Sequence, residues 1–357
     1  MNSTRIKIYD KNTISACYFR STVEPPYKKV LLQITERCNL KCKHCFVSAT
    51  SQGNEMSIED IKNKIVPRLV SSQTVKVTLT GGEPLVHPDV LEIISLLRHN
   101  NIAVGICTNA VNITEDLIIL SKKLGNIHFN VSLDGFNAKS HGTFRGNNSD
   151  LLFNKIIKNI SLLGKEKLLN GILVTPNVYA DLNEYKELAI FAKNIGAHYV
   201  LYNPLSKFGR GQNSVSIGSS KDTLEKIKSI TLNLCDDNFE IVYIRFPEKG
   251  KAISECPLGK VLYVFTNGDV AICPYMAFAS NDLVSKYDYN DFIVTNLLSE
   301  SCNLDMDLLK YKLPYEEKVN QKCSNNTCKK GCYAAKISNG LYINDCDYEL
   351  CGIYTDE

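Results

Sequence analysis

The sequence predicts an α/β fold, a partial (β/α)6 barrel of the TIM type followed by a small cysteine-rich domain. Two observations carry this expectation. Between Val30 and Asn203, six short apolar runs alternate with longer runs whose apolar residues recur at helical spacing. Strand and helix in alternation argue for parallel strands, and a curved sheet of six is three-quarters of a TIM-type barrel. The second observation is the cysteines: of 14, three fall within 38–45 and, Cys302 aside, seven between Cys256 and Cys351. The expected boundaries are an N-terminal extension over 1–29, the barrel over 30–215, a bridging region over 216–255 and the cysteine-rich domain over 256–357.

Taken in order, Ile6-Lys7-Ile8-Tyr9 and Ala16-Cys17-Tyr18-Phe19 read as a short hairpin ending at Pro25-Pro26. Residues 1–29 are too short for an independent peptide-binding domain. Strands are expected over 30–35, 75–80, 102–107, 127–133, 171–176 and 198–203. Ser57 can cap a helix with Asp60 three residues on, and Ile58, Ile61, Ile65 and Leu69 follow at helical spacing. Pro67 kinks or shortens that helix. Pro88 opens the next, with Val90, Leu91, Ile94 and Leu97 on one face. Segments 114–123, 150–163, 182–195 and 221–234 complete the helices. The stretch from Phe208 to Ser220, rich in Gly and Ser, marks the exit from the barrel, and Phe239 to Arg245 reads as a further strand.

Composition excludes several classes. The chain is 44% hydrophobic and 22% charged, an ordinary globular balance. A net charge of +3 without a Lys/Arg block gives no footprint for nucleic acid. No apolar run approaches the ~18 residues needed to span a bilayer. Met1-Asn2-Ser3-Thr4-Arg5 lacks the apolar core of a signal peptide, so a cytoplasmic location is expected. In that reducing compartment clustered cysteines read as metal ligands rather than disulfides. The scattered Cys17, Cys107, Cys235 and Cys302 read as buried structural thiols.

The chemistry sits where the strands end. Cys38-Asn39-Leu40-Lys41-Cys42-Lys43-His44-Cys45 follows the first strand. Its three thiolates can each hold one iron of a [4Fe–4S] cube and leave the fourth iron open to a ligand. A zinc knuckle is the alternative, although zinc sites favour paired C-x2-C ligands. His44 lies inside the tight loop, which points it away from the metal. After the second strand, Thr80-Gly81-Gly82-Glu83-Pro84 offers two glycines for close backbone approach and a carboxylate able to hold an ammonium group. Thr108-Asn109 follows the third strand, and Ser132-Leu133-Asp134-Gly135 the fourth, with His141-Gly142-Thr143-Phe144-Arg145-Gly146 just beyond.

Together these residues resemble the radical S-adenosylmethionine enzymes. The resemblance implies that Cys38, Cys42 and Cys45 hold the cluster, and that its open iron is chelated by the amino and carboxylate groups of S-adenosylmethionine. An electron from the cluster then yields methionine and a 5′-deoxyadenosyl radical, which takes a hydrogen atom from substrate; the cofactor carries the hard chemistry. By the same resemblance Gly81, Gly82 and Glu83 bind the cofactor's amino group, and Ser132 and Arg145 its carboxylate. An Arg fork suits a carboxylate because it can bond both oxygens. Thr108 and Asn109 would face ribose or the methionine carboxylate. His44 departs from the family's usual Phe or Tyr as another planar ring. Asp134 reads as a turn carboxylate.

In the C-terminal region, Asn267-Gly268 between apolar runs signals a hairpin flanked by Cys256 and Cys273. Cys323, Cys328, Cys332, Cys346 and Cys351 follow. Disulfides and a sulfur-rich zinc site are the plainer alternatives. The arrangement resembles the SPASM domain, which carries up to two auxiliary [4Fe–4S] clusters. Gly268-x4-Cys273 and Cys328-x3-Cys332 match its pattern; the spacing from Cys323 to Cys328 and Asn320 in place of a cysteine do not. Two fully thiolate-ligated cubes need one cysteine more than the seven this region offers, which leaves an open iron, a non-cysteine ligand or a distant thiol such as Cys302.

The expected activity is radical modification of a ribosomally made peptide or protein: a crosslink, a thioether, an epimerisation or an oxidation. The alternative is a dehydrogenase or epimerase of an aminoglycoside-like sugar, which can use the same domain plan. A zinc-binding interaction protein is the third possibility, but it leaves Gly81-Gly82-Glu83, Ser132 and Arg145 without a role. The expected partners are the peptide, a separate leader-binding protein, and a flavodoxin or ferredoxin as electron donor, with neither nucleic acid nor membrane.

Overall fold

The alternation of apolar and amphipathic runs folds into one sheet of ten strands. The structure is a computed structural model that describes residues 13–17, 23–314 and 328–351. Its strands are β1 (Thr13–Ile14), β2 (Lys28–Thr35), β3 (Thr74–Gly81), β4 (Ala103–Thr108), β5 (Ile127–Ser132), β6 (Leu169–Val174), β7 (Tyr199–Tyr202), β8 (Glu240–Tyr243), β9 (Ala252–Ile253), β10 (Leu262–Val264), β11 (Asp269–Ala271) and β12 (Ile293–Asn296). β2 to β8 lie side by side in chain order, and every pairing among them is parallel. In-register pairs such as Leu32 with Leu79 and Val77 with Val104 stack apolar side chains across the sheet. Leu32, Val77, Leu79, Val104, Phe129 and Ile172 are fully buried, because helices cover the strands from outside.

The six expected strands are β2 to β7, and the sheet continues past them at both ends. β8, the expected strand after the barrel exit, pairs in parallel with β7 and buries Ile241, Val242 and Tyr243. An exposed row of β7 amides and carbonyls would otherwise remain. On the other side β10 pairs in parallel with β2, and β11 and β12 follow antiparallel. The cysteine-rich segment thus extends the sheet of the barrel instead of packing against it from outside. The Asn267-Gly268 turn joins β10 to β11 as expected, with Gly268 at φ 88°.

Helix ends follow the chain's own capping residues. The Asp60 amide donates to Ser57 Oγ at 3.1 Å, and Asp181 and Glu184 form a reciprocal capping box ahead of the helix Leu182–Asn194. Pro67 does not end its helix, which runs on to Ser71. The turn before it widens to a π-helix over Ile61–Ile65, in which the Val66 amide reaches Ile61 O. Pro88 lies in a turn just ahead of the next helix, which starts at Val90 with Asp89 as its N-cap; a 3-10 turn over Pro84–Val86 precedes it. A helix over Ala138–Arg145 was not expected from periodicity, since it is short and contains Gly142. Of the N-terminal hairpin, Ile6–Tyr9 lies outside the described residues; the described Thr13–Ile14 pairs in parallel with β9 instead.

Two cores result. The larger fills the parallel sheet and its helices; the second gathers Ile14, Ala16 and Cys17 with Tyr263, Met276, Phe292, Cys332 and Ile337. Among the described residues no helix is long and apolar enough to cross a membrane. Leu79 is fully buried at the centre of the first core and Leu283 is fully exposed. Leu79→Ala should therefore cost about 2–5 kcal/mol in urea unfolding, whereas Leu283→Ala should stay within about 0.5 kcal/mol of wild type.

Candidate active site at the strand ends

The loop after β2 is held by the main chain. Glu36 N donates to Asn54 O, Cys38 N to Thr50 O and Met56 N to Ile34 O, which closes residues 36–56 into a compact loop. Across its base runs Gly81-Gly82-Glu83: Gly82 N bonds Thr35 O and Glu83 N bonds Arg37 O, both at 2.9 Å. A Cβ on Gly81 would lie 2.1 Å from Thr35 O, and one on Gly82 2.1 Å from Arg37 O. The two glycines thus serve first to let β3 approach the cysteine loop.

Cys38, Cys42, Cys45, Gly81, Gly82, Glu83, Thr108, Asn109, Ser132 and Arg145 line one cavity of about 200 Å³. Every barrel residue expected in the site is therefore brought together, at the C-terminal ends of β2 to β5. Burial pushes the Cys42 thiol up to about 12 and raises Cys38 as well. Metal ligation would have to displace those protons. Among the described residues no three of His, Cys, Asp or Glu meet at a point that one metal ion could occupy. Cys38, Cys42 and Cys45 instead stand around a shared volume, which fits a multi-iron cube.

Glu83 is buried, and its carboxylate accepts Thr108 Oγ1 at 2.7 Å, Asn109 N at 2.7 Å and Leu85 N at 3.1 Å. Among the described residues no cationic side chain forms an ion pair with it. Burial raises its pKa to about 7 despite those donors. Arg145, the cation that acts on it across the cavity, makes no ion pair with it, and a buried carboxylate so placed suits an ammonium group. Thr108 and Asn109 spend their bonds on Glu83 and on the loop, where Asn109 Nδ2 donates to Asn39 Oδ1 at 2.7 Å.

Arg145 ends the short helix Ala138–Arg145, and Gly146 at φ 85° turns the chain where a Cβ would lie 2.6 Å from Lys41 O. Its Nε donates to Asp134 Oδ2 at 2.7 Å, and its Nη1 lies 3.9 Å from Cys42 Sγ. Asp134 is fully buried and also accepts Thr175 N at 2.7 Å. Burial would raise its carboxyl, but Arg145, His44 and His141 together hold it below the ordinary range. The expected turn carboxylate is in fact what orients Arg145. Ser132 lines the cavity, and its hydroxyl makes no hydrogen bond to the described residues.

His44 stands in the cavity wall as a planar ring, and Arg210 is a contributor that the sequence reading missed. His44 stacks on Phe144 with centroids 4.0 Å apart and planes 5° apart, and its Nε2 lies 3.6 Å from Asp134 Oδ2. Arg210, in the Gly-rich exit from the barrel, donates from Nε to Cys42 O at 2.7 Å and from Nη1 to Ala49 O at 2.6 Å. The available signal was its position: it is the one cation between Phe208 and Ser220.

The C-terminal cysteines form a separate group. Cys256, Cys273 and Cys332 are buried close together. Cys328 and Cys351 stand at the rim of the second core, and Cys346 is half-buried. Cys323 lies outside the described residues. Cys302 is partly buried against the barrel core and accepts from Thr295 Oγ1 at 3.7 Å.

The Glu83 environment has a pH signature. With a folded value of about 7 against an ordinary 4.5, the folded chain keeps a proton that the unfolded chain has released. This stabilising contribution is complete below the ordinary value and is lost as pH rises through about 7. Relative to Glu83→Gln, the metal-free wild type should lose a few kcal/mol in urea unfolding between about pH 4.5 and pH 8. A flat difference across that window would contradict the buried, unpaired carboxylate.

Comparison with known proteins places this geometry. Residues 32–196 match the Radical SAM superfamily. The antilisterial bacteriocin subtilosin biosynthesis protein AlbA of Bacillus subtilis is 28% identical over 245 residues, covering 68% of this chain and 53% of that protein. The chain thus spans about half the length of that relative. Mycofactocin maturase MftC of Mycobacterium tuberculosis is 25% identical over 332 residues, covering 89% of this chain and 81% of that one. The crystal structure of Streptococcus suis SuiB bound to S-adenosylmethionine shares the fold, with a TM-score of 0.67 at 16% identity over 88% of this chain and 75% of that one. The segment that matches the radical SAM superfamily runs from β2 to the helix before β7 and carries Cys38, Cys42, Cys45, Glu83, Ser132 and Arg145.

Proposed function

We propose that the chain is a radical S-adenosylmethionine enzyme that modifies a ribosomally made peptide. The observation that carries this is the convergence on one cavity of three thiols, an unpaired buried carboxylate and a buried arginine from successive strand ends. Cys38, Cys42 and Cys45 hold the cluster, Glu83 takes the amino group of S-adenosylmethionine, and Ser132 and Arg145 take its carboxylate. When bound, these groups supply a 5′-deoxyadenosyl radical that abstracts hydrogen from substrate.

The remaining residues position and shield. Asp134 holds Arg145 by Nε alone, which leaves the outer edge of the fork for a carboxylate. Thr108 and Asn109 keep Glu83 ionisable against its burial. Arg210 ties the cysteine loop to the segment that leaves the barrel, and Phe46, packed edge-on against Tyr275 and Phe278, keeps that side of the loop apolar. In the second core, Cys256, Cys273 and Cys332 hold an auxiliary cluster. Cys323, Cys328 and a terminal cysteine, Cys346 or Cys351, form a second SPASM-type set.

The substrate class rests on two supports. The relatives that align over most of this chain carry names of peptide-product pathways, subtilosin biosynthesis and mycofactocin maturation. Ser132-Leu133-Asp134-Gly135 with Arg145-Gly146 also resembles the motif pair of peptide-modifying members. A separate leader-binding protein and a flavodoxin or ferredoxin complete the proposed system.

Replacing Cys38, Cys42 and Cys45 together by Ala should abolish 5′-deoxyadenosine formation while iron in the second core survives, as read by product chromatography and iron assay. Glu83→Gln and Arg145→Ala should each weaken S-adenosylmethionine binding by about 1.5–3 kcal/mol, or roughly 10- to 150-fold, in calorimetry on reconstituted protein. Incubation with a Cys-containing peptide encoded beside this gene should yield a product lighter by two hydrogens. Turnover of a sugar with every such peptide untouched would overturn the substrate assignment.

A further inference from the structure

The cysteine count leaves the auxiliary sites one thiol short, and the structure supplies a thiol from the other end of the chain. β1 runs parallel to β9 in the register Thr13 with Ala252 and Ile14 with Ile253. Backbone and side-chain bonds keep the two segments together beyond the strands. Ser254 N donates to Ile14 O at 2.9 Å, Ala16 N to Ser254 Oγ at 3.0 Å, and Arg245 N to Ser15 O at 2.8 Å. Continued for three residues, the same register sets Cys17 beside Cys256.

The side chains meet accordingly. The Cys17 and Cys256 thiols share a hydrogen bond, with Cys332 and Cys273 the next sulfurs around them. Each of the four is no more than 9% exposed. Amides from the ends of two short helices face the sulfurs: Tyr275 and Met276 toward Cys273, Ala335 toward Cys332 and Tyr333 toward Cys256. Two cations flank the group, Lys336 buried and Arg245 partly buried. Arg245 is paired with Asp347, and Lys336 is held by Ile343 O and Asp345 O. Four adjacent thiolates would repel one another in an apolar core, so amide donors, nearby cations and a bound metal centre are what such a grouping needs.

We propose that Cys17 is the fourth thiolate ligand, with Cys256, Cys273 and Cys332, of an iron–sulfur cube in the second core. This rests on the auxiliary-cluster assignment made above for Cys256, Cys273 and Cys332. With Cys17 in place that cube has no iron open to substrate, so its part is electron transfer. A substrate thiolate would have to bind elsewhere. Its position suits that part, because Tyr275, Asn203, Pro204 and Ser206 line both the main cavity and the smaller one reached by Cys17 and Cys332. Ligation also pins the N-terminal segment to the C-terminal core.

The test uses the full chain with Cys38, Cys42 and Cys45 replaced by Ala, so that only auxiliary iron is read. After anaerobic reconstitution, Cys17→Ala and the size-conserving Cys17→Ser are compared with this parent by iron and sulfide assay, midpoint potential and EPR of the reduced protein, with and without added 2-mercaptoethanol. Circular dichroism checks that each variant is folded. The expected result is either loss of about four irons per chain or a retained cube whose potential shifts and whose EPR signal responds to the added thiol, unlike the parent's. Iron, potential and thiol-insensitive EPR identical to the parent in both variants would overturn the role of Cys17. One zinc per chain in place of iron in the parent would overturn the cube. The companion variants Cys256→Ala, Cys273→Ala and Cys332→Ala separate the two levels. If they too match the parent in iron, potential and EPR, the auxiliary-cluster assignment itself fails; if they differ from the parent while both Cys17 variants match it, the fault lies with Cys17 alone.

Discussion

The arrangement of the site depends on one main-chain contact, the crossing of Gly81-Gly82 over the end of β2. The bonds from Gly82 N to Thr35 O and from Glu83 N to Arg37 O set the height of Glu83 above the sheet and the point at which the cysteine loop leaves it. Neither glycine can gain a side chain without moving β2, since an added Cβ would meet a carbonyl oxygen at 2.1 Å. The loop carrying Cys38 and the turn carrying Glu83 are therefore one rigid unit. A glycine pair usually understood as room for a ligand is here room for the protein's own backbone.

Around that unit, charge is placed by burial and pairing. Arg145 approaches Cys42 because Asp134 holds it, and Asp134 is held in turn by the Thr175 amide and carries Asn177 Nδ2 on its carbonyl. A buried carboxylate paired with arginine stays ionised, whereas Glu83, hydrogen-bonded only by neutral donors and with Arg145 acting from a distance, is raised by burial to about 7. The two carboxylates thus differ in standing: Asp134, behind the cavity wall, is already paired with Arg145, whereas Glu83 lines the cavity with no ion-pair partner among the described residues. His44 completes the wall by lying flat on Phe144, which accounts for a histidine where an aromatic ring would serve.

The sheet binds the two halves of the molecule together. β10 pairs with β2, the strand that launches the cysteine loop, so the C-terminal hairpin and the candidate site share a strand. Tyr263 of β10 donates to Gln33 Oε1 of β2 at 2.9 Å and lines the main cavity. The second core, with its thiols, abuts that cavity through Tyr275.

Much of this was legible along the chain. Runs such as Val30–Thr35 and the helical spacing of Ile61, Ile65 and Leu69 report burial periodicity, which is local, and the strands appear within two residues of where they were expected. The residues that line the candidate site were also legible, because C-x3-C-x2-C, Gly-Gly-Glu and Ser132 each follow closely on a strand end, with Arg145 in the segment just beyond. What Gly81 and Gly82 approach, what Asp134 holds and where Arg210 points were decided by packing between segments far apart in sequence. The pairing of β10 with β2 and the seat of Cys17 beside Cys256 belong to the same class. A lone cysteine in an N-terminal segment carries no local pattern, and only the parallel register of β1 with β9 brings it among the thiols of the second core. Periodicity and motif spacing therefore determined the elements and the chemistry each could offer; the tertiary structure alone decided which of them meet, because contacts between distant segments leave no mark on local sequence.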